Sequence, residues 1–354
     1  MRLSVLDQSP ISRGKTATDA LGQTLALARA ADRWGFTRYW CAEHHNTNCF
    51  ASASPEVLIA KIAEETSHIR VGSGGVLLSH YSPLKVAEVF RMLEALYPGR
   101  VDLGIGRAPG SDQLTSRILQ YGPGALGGEH FSSQVHALLG FLTGGFAPDH
   151  PFAPTTAVPR VDGVPPVWLL GSSNQSAALA AHLGCAFSGA HFINADGGAE
   201  VMRTYHRDFK PSAIWTKPTG SIGVFVICAD TEERALALGA TRDLWRLRLS
   251  QGRHDPIPTV AEAAAYEYTA EEAAEVARNR HRHIVGTPEQ VKTRLDAVSD
   301  AYGVDEFVVI SICPDFEDRL RSYELLAEVY ELQRPVSDQA GTGTGAVLKA
   351  AASR

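Results

Sequence analysis

Tyr39-Trp40-Cys41-Ala42-Glu43-His44-His45-Asn46 begins as an apolar, aromatic strand and ends in a carboxylate and two adjacent imidazoles. A polar cluster where a buried strand emerges is a place where barrel enzymes keep their chemistry. The same residues also suit an ordinary, satisfied strand end. The flanking sequence decides between the two. Residues 3–6 read as a strand, and residues 18–34 as a helix with Asp19 near its start and Gly35 just after it. Residues 38–42 are the next strand, followed by a helix over 55–66 whose Pro55 suits a first turn. Residues 69–72 form a third strand, 83–97 a helix ended by Pro98-Gly99, and 101–105 a fourth strand. Residues 167–170, 186–188, 222–228 and 307–310 supply four more, each with a helical segment after it.

Eight strands alternating with eight helices, without a hairpin signal, predict an α/β fold of the (β/α)8 TIM-barrel type. The competing doubly wound sheet lacks its dinucleotide fingerprint, because Gly104-Ile105-Gly106 continues as Arg107-Ala108-Pro109 and a proline spoils that turn. Residues 1–335 are expected to form one barrel domain with extended loops at its C-terminal face, and 336–354 a flexible tail around Gly341-Thr342-Gly343-Thr344-Gly345. Two long connections, 108–128 and 252–269, interrupt the repeat and read as functional lids or mobile connectors.

Bulk properties narrow the function classes. The chain has 354 residues, 44% hydrophobic and 20% charged, which is ample for a large core. A net charge of −6 with no basic block argues against nucleic acid or an anionic membrane as the main partner. No apolar run approaches the ~20 residues a membrane span needs. The N-terminus enters a strand without a signal-peptide shape. Cys41, Cys49, Cys185, Cys228 and Cys313 are scattered and read as reduced thiols of a cytoplasmic protein.

Side chains alternate along a strand, so His44 points opposite to Glu43 and His45. Only one imidazole then faces the barrel mouth, which argues against a metal site wanting H-x-H on one face. Arg107, just past the fourth strand and flanked by Gly106 and Gly110, is placed to clamp a phosphate; its bland alternative is a rim salt bridge. Gly171-Ser172-Ser173 opens a helix directly after the fifth strand, so backbone N–H groups and hydroxyls gather where an anion is favoured; N-capping by either serine is compatible. Gly72-Ser73-Gly74-Gly75 removes side chains where a flat group could lie, or else marks a bulge. Imidazole, open floor, arginine and helix start together describe a pocket for a flat phosphorylated cofactor. Flavin mononucleotide (FMN) suits it better than a sugar phosphate, because the floor is bare and its surroundings apolar.

The chain resembles the luciferase-like monooxygenases, and within them FMN-dependent oxidoreductases that include a monooxygenase of aromatic polyketide biosynthesis. The resemblance covers nearly the whole chain. Its most specific pieces are Trp40-Cys41-Ala42-Glu43-His44-His45, Val71-Gly72-Ser73-Gly74-Gly75-Val76, Asp102-Leu103-Gly104-Ile105-Gly106-Arg107-Ala108-Pro109-Gly110, Leu170-Gly171-Ser172-Ser173 and Ile284-Val285-Gly286-Thr287-Pro288. It implies a TIM barrel with FMN at the C-terminal mouth, His44 beside the flavin as acid, base or stabiliser, and a cis peptide at Gly74-Gly75. It further implies Ser73, Gly74 and Gly75 under the ring, and Arg107 with Gly171, Ser172 and Ser173 at the phosphate.

The implied reaction joins reduced FMN, delivered by a separate flavin reductase, with O2 and oxygenates a small organic substrate by way of a peroxyflavin. A homodimer is implied as well. The light-emitting members carry a cysteine where this chain has Gly106, and the insertion after strand seven does not read as long; both speak against light emission. Competing readings are a deazaflavin-dependent oxidoreductase, a non-catalytic flavin-binding protein and a metal hydrolase. Arg117 is a second candidate for the phosphate, and Phe131, Phe192 and Trp215 are candidates for the substrate wall.

Overall fold

In the computed structural model, which describes residues 1–108, 110–120 and 130–333, eight parallel strands close into a barrel. They are β1 (Arg2–Asp7), β2 (Arg38–Cys41), β3 (Arg70–Leu77), β4 (Val101–Gly106), β5 (Val167–Gly171), β6 (Ala186–Ala190), β7 (Gly220–Cys228) and β9 (Glu306–Ile310). Each pairs with the next, and β9 returns to β1 with Leu3 opposite Phe307. The expected TIM barrel is therefore present, and all eight expected strands belong to it. The expected tail, 336–354, lies outside the described residues, as do residue 109 and 121–129 of the first long connection.

Helices start where the local chemistry sets them. In α1 (Ala17–Trp34), Thr16 and Asp19 form a reciprocal capping box, and Gly35 closes the helix at φ 87°. Pro55 and Pro83 open α2 (Pro55–Glu65) and α3 (Pro83–Leu96). The helices expected after the later strands include α6 (Asn174–Leu183), α7 (Gly198–Asp208) and α12 (Phe316–Val329), and α4 (Gln113–Leu119) and α5 (Phe131–Thr143) lie between β4 and β5. No described helix is long and apolar enough to cross a membrane.

Two expectations need correction. The connection from β7 to β9 is long. It carries α8 (Glu232–Ser250), α9 (Val260–Ala264), α10 (Ala270–Asn279), a ninth strand β8 (His283–Gly286) and α11 (Pro288–Tyr302). The four-residue β8 is too short to show a period, yet it pairs with β7 over Phe225 to Cys228, beyond most of the stretch that β7 gives to β9. Second, β3 does not stop at Gly72 but runs on to Leu77, with a register shift between Gly74 and Val76. Its glycines sit inside the sheet because β3 and β4 approach closely. A Cβ on Gly72 would lie 2.4 Å from the Asp102 carbonyl oxygen, and one on Gly104 2.1 Å from that of Ser73. Backbone cannot step aside as a side chain can, so Gly104→Ala is expected to cost ~1–3 kcal/mol in urea unfolding; an unchanged midpoint would contradict this close approach.

Alternation divides the core. Leu3, Val5, Tyr39, Cys41, Val71 and Leu103 face the helices, whereas Leu6, Trp40, Ala42, Trp168, Phe225 and Val308 fill the barrel. Near the strand starts the interior is charged. Buried Arg38 donates to Asp102 at 2.8 Å and to Glu306 at 2.7 Å, and Ser4 also donates to Glu306, at 2.8 Å. Trp40 and Trp168 meet edge-on at 5.2 Å, and Trp40 Nε1 donates to Asp102 at 3.1 Å. These layers plug one half of the barrel and leave a cavity in the other.

Candidate active site

That cavity, of about 390 Å³, lies at the C-terminal strand ends and is bordered by His44, Gly74, Gly75, Arg107, Gly171, Ser172 and Ser173. Ser73 is not among the bordering residues. It is fully buried, and its hydroxyl donates to the Gly104 carbonyl at 2.8 Å, so its side chain faces β4. Of the three residues expected under the ring, Gly74 and Gly75 border the cavity and Ser73 does not.

Although β2 ends at Cys41, Ala42 N–H still donates to the Asp7 carbonyl at 2.8 Å, and the chain leaves the sheet in extended form. The inward row Trp40, Ala42 therefore continues to His44. His44 N–H donates to the Ser52 carbonyl at 2.9 Å, and its ring lies 4.7 Å from that of Phe50. Its Nδ1 is buried and, among the described residues, has no hydrogen-bond partner. Burial, with a smaller contribution from His45, pushes the His44 pKa down to about 4. The imidazole is neutral at neutral pH.

His45 turns the other way. Its Nε2 lies 2.8 Å from Glu43 Oε1. Among the described residues no group of three metal-ligating side chains occurs.

The glycine floor has the second of the two causes the sequence offers, an irregularity of the strand, where the register shifts between Gly74 and Val76. The Gly74-Gly75 peptide is cis. A Cβ on Gly74 would meet Leu6 Cδ1 at 2.5 Å, and one on Gly75 the Gly104 carbonyl oxygen at 2.7 Å. The barrel wall itself thus demands these glycines. Gly106 is the vacant position, where a Cβ would meet nothing within 4 Å.

Arg107 follows β4 with an exposed side chain, and its Nη1 donates to Gln175 Oε1 at 3.4 Å. This contact brings a guanidinium to the first turn of α6. Ser173 caps that helix by accepting from Ser176 N–H at 3.3 Å, while Asn194 Nδ2 holds the Ser172 carbonyl at 2.9 Å. Backbone donors at a helix start beside an arginine favour a doubly charged phosphate. Arg117 is exposed on α4 and does not border the cavity.

Phe192 borders the cavity; Phe131 is buried in the helix-facing core, and Trp215 packs against the barrel interior with Nε1 donating to the Val167 carbonyl at 3.2 Å. Residues that sequence reasoning missed include Leu6 and Gln8 at the end of β1, and Ser188 on β6. The rule that barrel chemistry sits at strand C-termini could have found Gln8. Ser188 carries no such signal.

The profile of the luciferase-like monooxygenase family matches residues 1–306. The chain is 38% identical over 335 residues to the N-acetyl-S-alkylcysteine monooxygenase of Bacillus subtilis (strain 168), covering 93% of this chain and 98% of that one. It is similar to the crystal structure of apo-MsnO8, with a TM-score of 0.86, 43% identity and coverage of 94% and 98%. The oxygenating constituent of 3,6-diketocamphane monooxygenase from Pseudomonas putida, a type II Baeyer-Villiger monooxygenase solved with FMN, shares the fold at TM-score 0.68 and 19% identity, with coverage of 95% and 99%.

Proposed function

Because the chain belongs to the luciferase-like monooxygenase family, we propose that it is a monooxygenase that takes reduced FMN from a separate flavin reductase and uses O2 to oxygenate a small organic substrate. The observation that carries this reading is the cavity itself: the half-buried, neutral imidazole of His44 and, on the same rim, Arg107 against the start of α6. One end suits a redox-active ring, the other a phosphate. Bound reduced flavin supplies the electrons and the carbon at which O2 reacts.

The chain's own residues supply position, dryness and proton handling. Arg107, Gly171, Ser172, Ser173 and the first N–H groups of α6 hold the phosphate. Gly74 and Gly75, backed by Leu6 and Trp40, form the wall against the ring, and Ser73 fixes that wall through the Gly104 carbonyl. Leu6, Leu77, Leu170, Phe192 and Val308 keep water away. Neutral His44 takes or returns a proton at its imidazole. The family resemblance is also the ground for proposing a homodimer.

Product analysis tests the reading. Incorporation of one oxygen atom from labelled O2 into a member of a substrate panel is expected with reduced FMN; turnover with a deazaflavin and no label in the product would sink it. Arg107→Ala is expected to weaken FMN binding roughly 10- to 30-fold and riboflavin binding hardly at all, as for loss of one charged hydrogen-bonding partner. Equal loss for both ligands in a fluorescence titration would remove Arg107 from the phosphate.

A further inference from the structure

Glu43 borders the cavity and is a buried carboxylate joined to three separate groups. Its Oε1 accepts from Tyr81 Oη at 2.6 Å and from His45 Nε2 at 2.8 Å, and its Oε2 accepts from Leu77 N–H at 2.9 Å. Leu77 is the last residue of β3, two beyond Gly75. Tyr81 follows the turn after β3, and its phenol, pushed upward first by burial and then by Glu43, remains a donor. His45 extends the link, because its backbone N–H donates to the Gly110 carbonyl at 3.1 Å. Gly110 adopts φ +60° against Leu77, and a Cβ there would lie 2.3 Å from Leu77 Cδ1. Thus the segment carrying His44 and the strand carrying Gly74-Gly75 meet at one carboxylate, and the backbone of His45 joins the loop after Arg107 to them.

We propose that Glu43, through His45, Tyr81 and the Leu77 amide, is the positioning residue that sets His44, the Gly74-Gly75 wall and the Arg107 loop in register as a single cradle for the flavin. The proposal rests on the flavin reading. A carboxylate is suited to this work because it accepts from all three donors without donating. Glutamine, with one acceptor oxygen, cannot serve both sides. Truncating His45 breaks the link while leaving Glu43 with two donors.

The test is a titration of the full chain with oxidised FMN, read by flavin fluorescence and by the flavin absorption band, alongside thermal unfolding. Glu43→Gln and His45→Ala are expected to weaken FMN binding about tenfold and to shift the band. His45→Gln, whose amide nitrogen can reach Glu43, is expected to recover most of the affinity. Tyr81→Phe removes one of the three donors to Glu43 and should give an intermediate loss with an unchanged melting temperature. Folded His45→Ala and Tyr81→Phe proteins that bind FMN like the wild type would overturn the proposal, even where Glu43→Gln does not fold. So would equal losses in His45→Ala and His45→Gln that follow the fall in melting temperature, since that pattern marks a merely structural bond. If the wild type itself fails to bind FMN, the flavin reading falls first and this proposal with it.

Discussion

His44→Ala is expected to lower product formation by about 100-fold or more while FMN still binds, the loss typical of removing a positioned acid or base. The His44 imidazole borders the cavity, and the wall around it is largely apolar. No other described histidine borders that cavity. Wild-type turnover with intact FMN binding would exclude the role.

The same residue makes a pH prediction whose sign follows from burial. The His44 pKa falls from an ordinary 6.5 to about 4 in the folded chain. Between those values the unfolded chain binds a proton here that the folded chain refuses. Stability from this group is therefore fully present above about pH 6.5 and is lost as pH falls through about 4. His44→Gln should flatten that part of the curve of urea midpoint against pH. Proton acceptance by His44 should persist across the neutral range and weaken only as pH approaches 4.

Arg319→Met is expected to cost ~3–5 kcal/mol of folding stability, because it strips the counter-charge from a buried carboxylate. Arg319 Nη2 donates to Asp7 Oδ1 at 2.6 Å, and its Nε donates to the Ser311 carbonyl at 2.8 Å. Asp7 is fully buried and also accepts from Thr24 and Tyr39, each at 2.6 Å, and from Ser9 N–H at 2.7 Å. Burial pushes the Asp7 carboxyl upward; Arg319 above all, with the three hydrogen bonds, outweighs it and leaves the group below its usual value. This ion pair fastens α12 to β1, so its loss acts on the closure of the barrel. Asp7→Asn in the Arg319→Met background should restore part of the loss, since a neutral amide needs no counter-charge. A single-variant loss below about 1 kcal/mol by urea unfolding would refute the account.

The strands were legible for one physical reason: short apolar runs bounded by turn residues announce buried parallel strands. β3 exceeded its expected end because glycine alone reads as punctuation, while here close approach of Gly72 and Gly104 to backbone of the opposite strand requires it. β8 escaped because four residues carry no period. Within the site, the two-residue alternation separated His44 from Glu43 and His45. The bond of the Ser73 hydroxyl was not legible, because nothing in its neighbours says that Gly104 leaves a carbonyl within its reach.

From the chain alone, then, came the barrel class and the strand ends that border the cavity, consequences of periodicity and side-chain alternation over a few consecutive residues, while His44 was singled out by the family resemblance. Only the tertiary structure decided what those residues meet. Glu43 finds Leu77 and Tyr81 34 and 38 positions away, and Arg107 finds Gln175 68 positions away. Arg319 finds Asp7 312 positions away. Such pairings depend on how the sheet closes and on which backbones touch across it, and local sequence does not encode either.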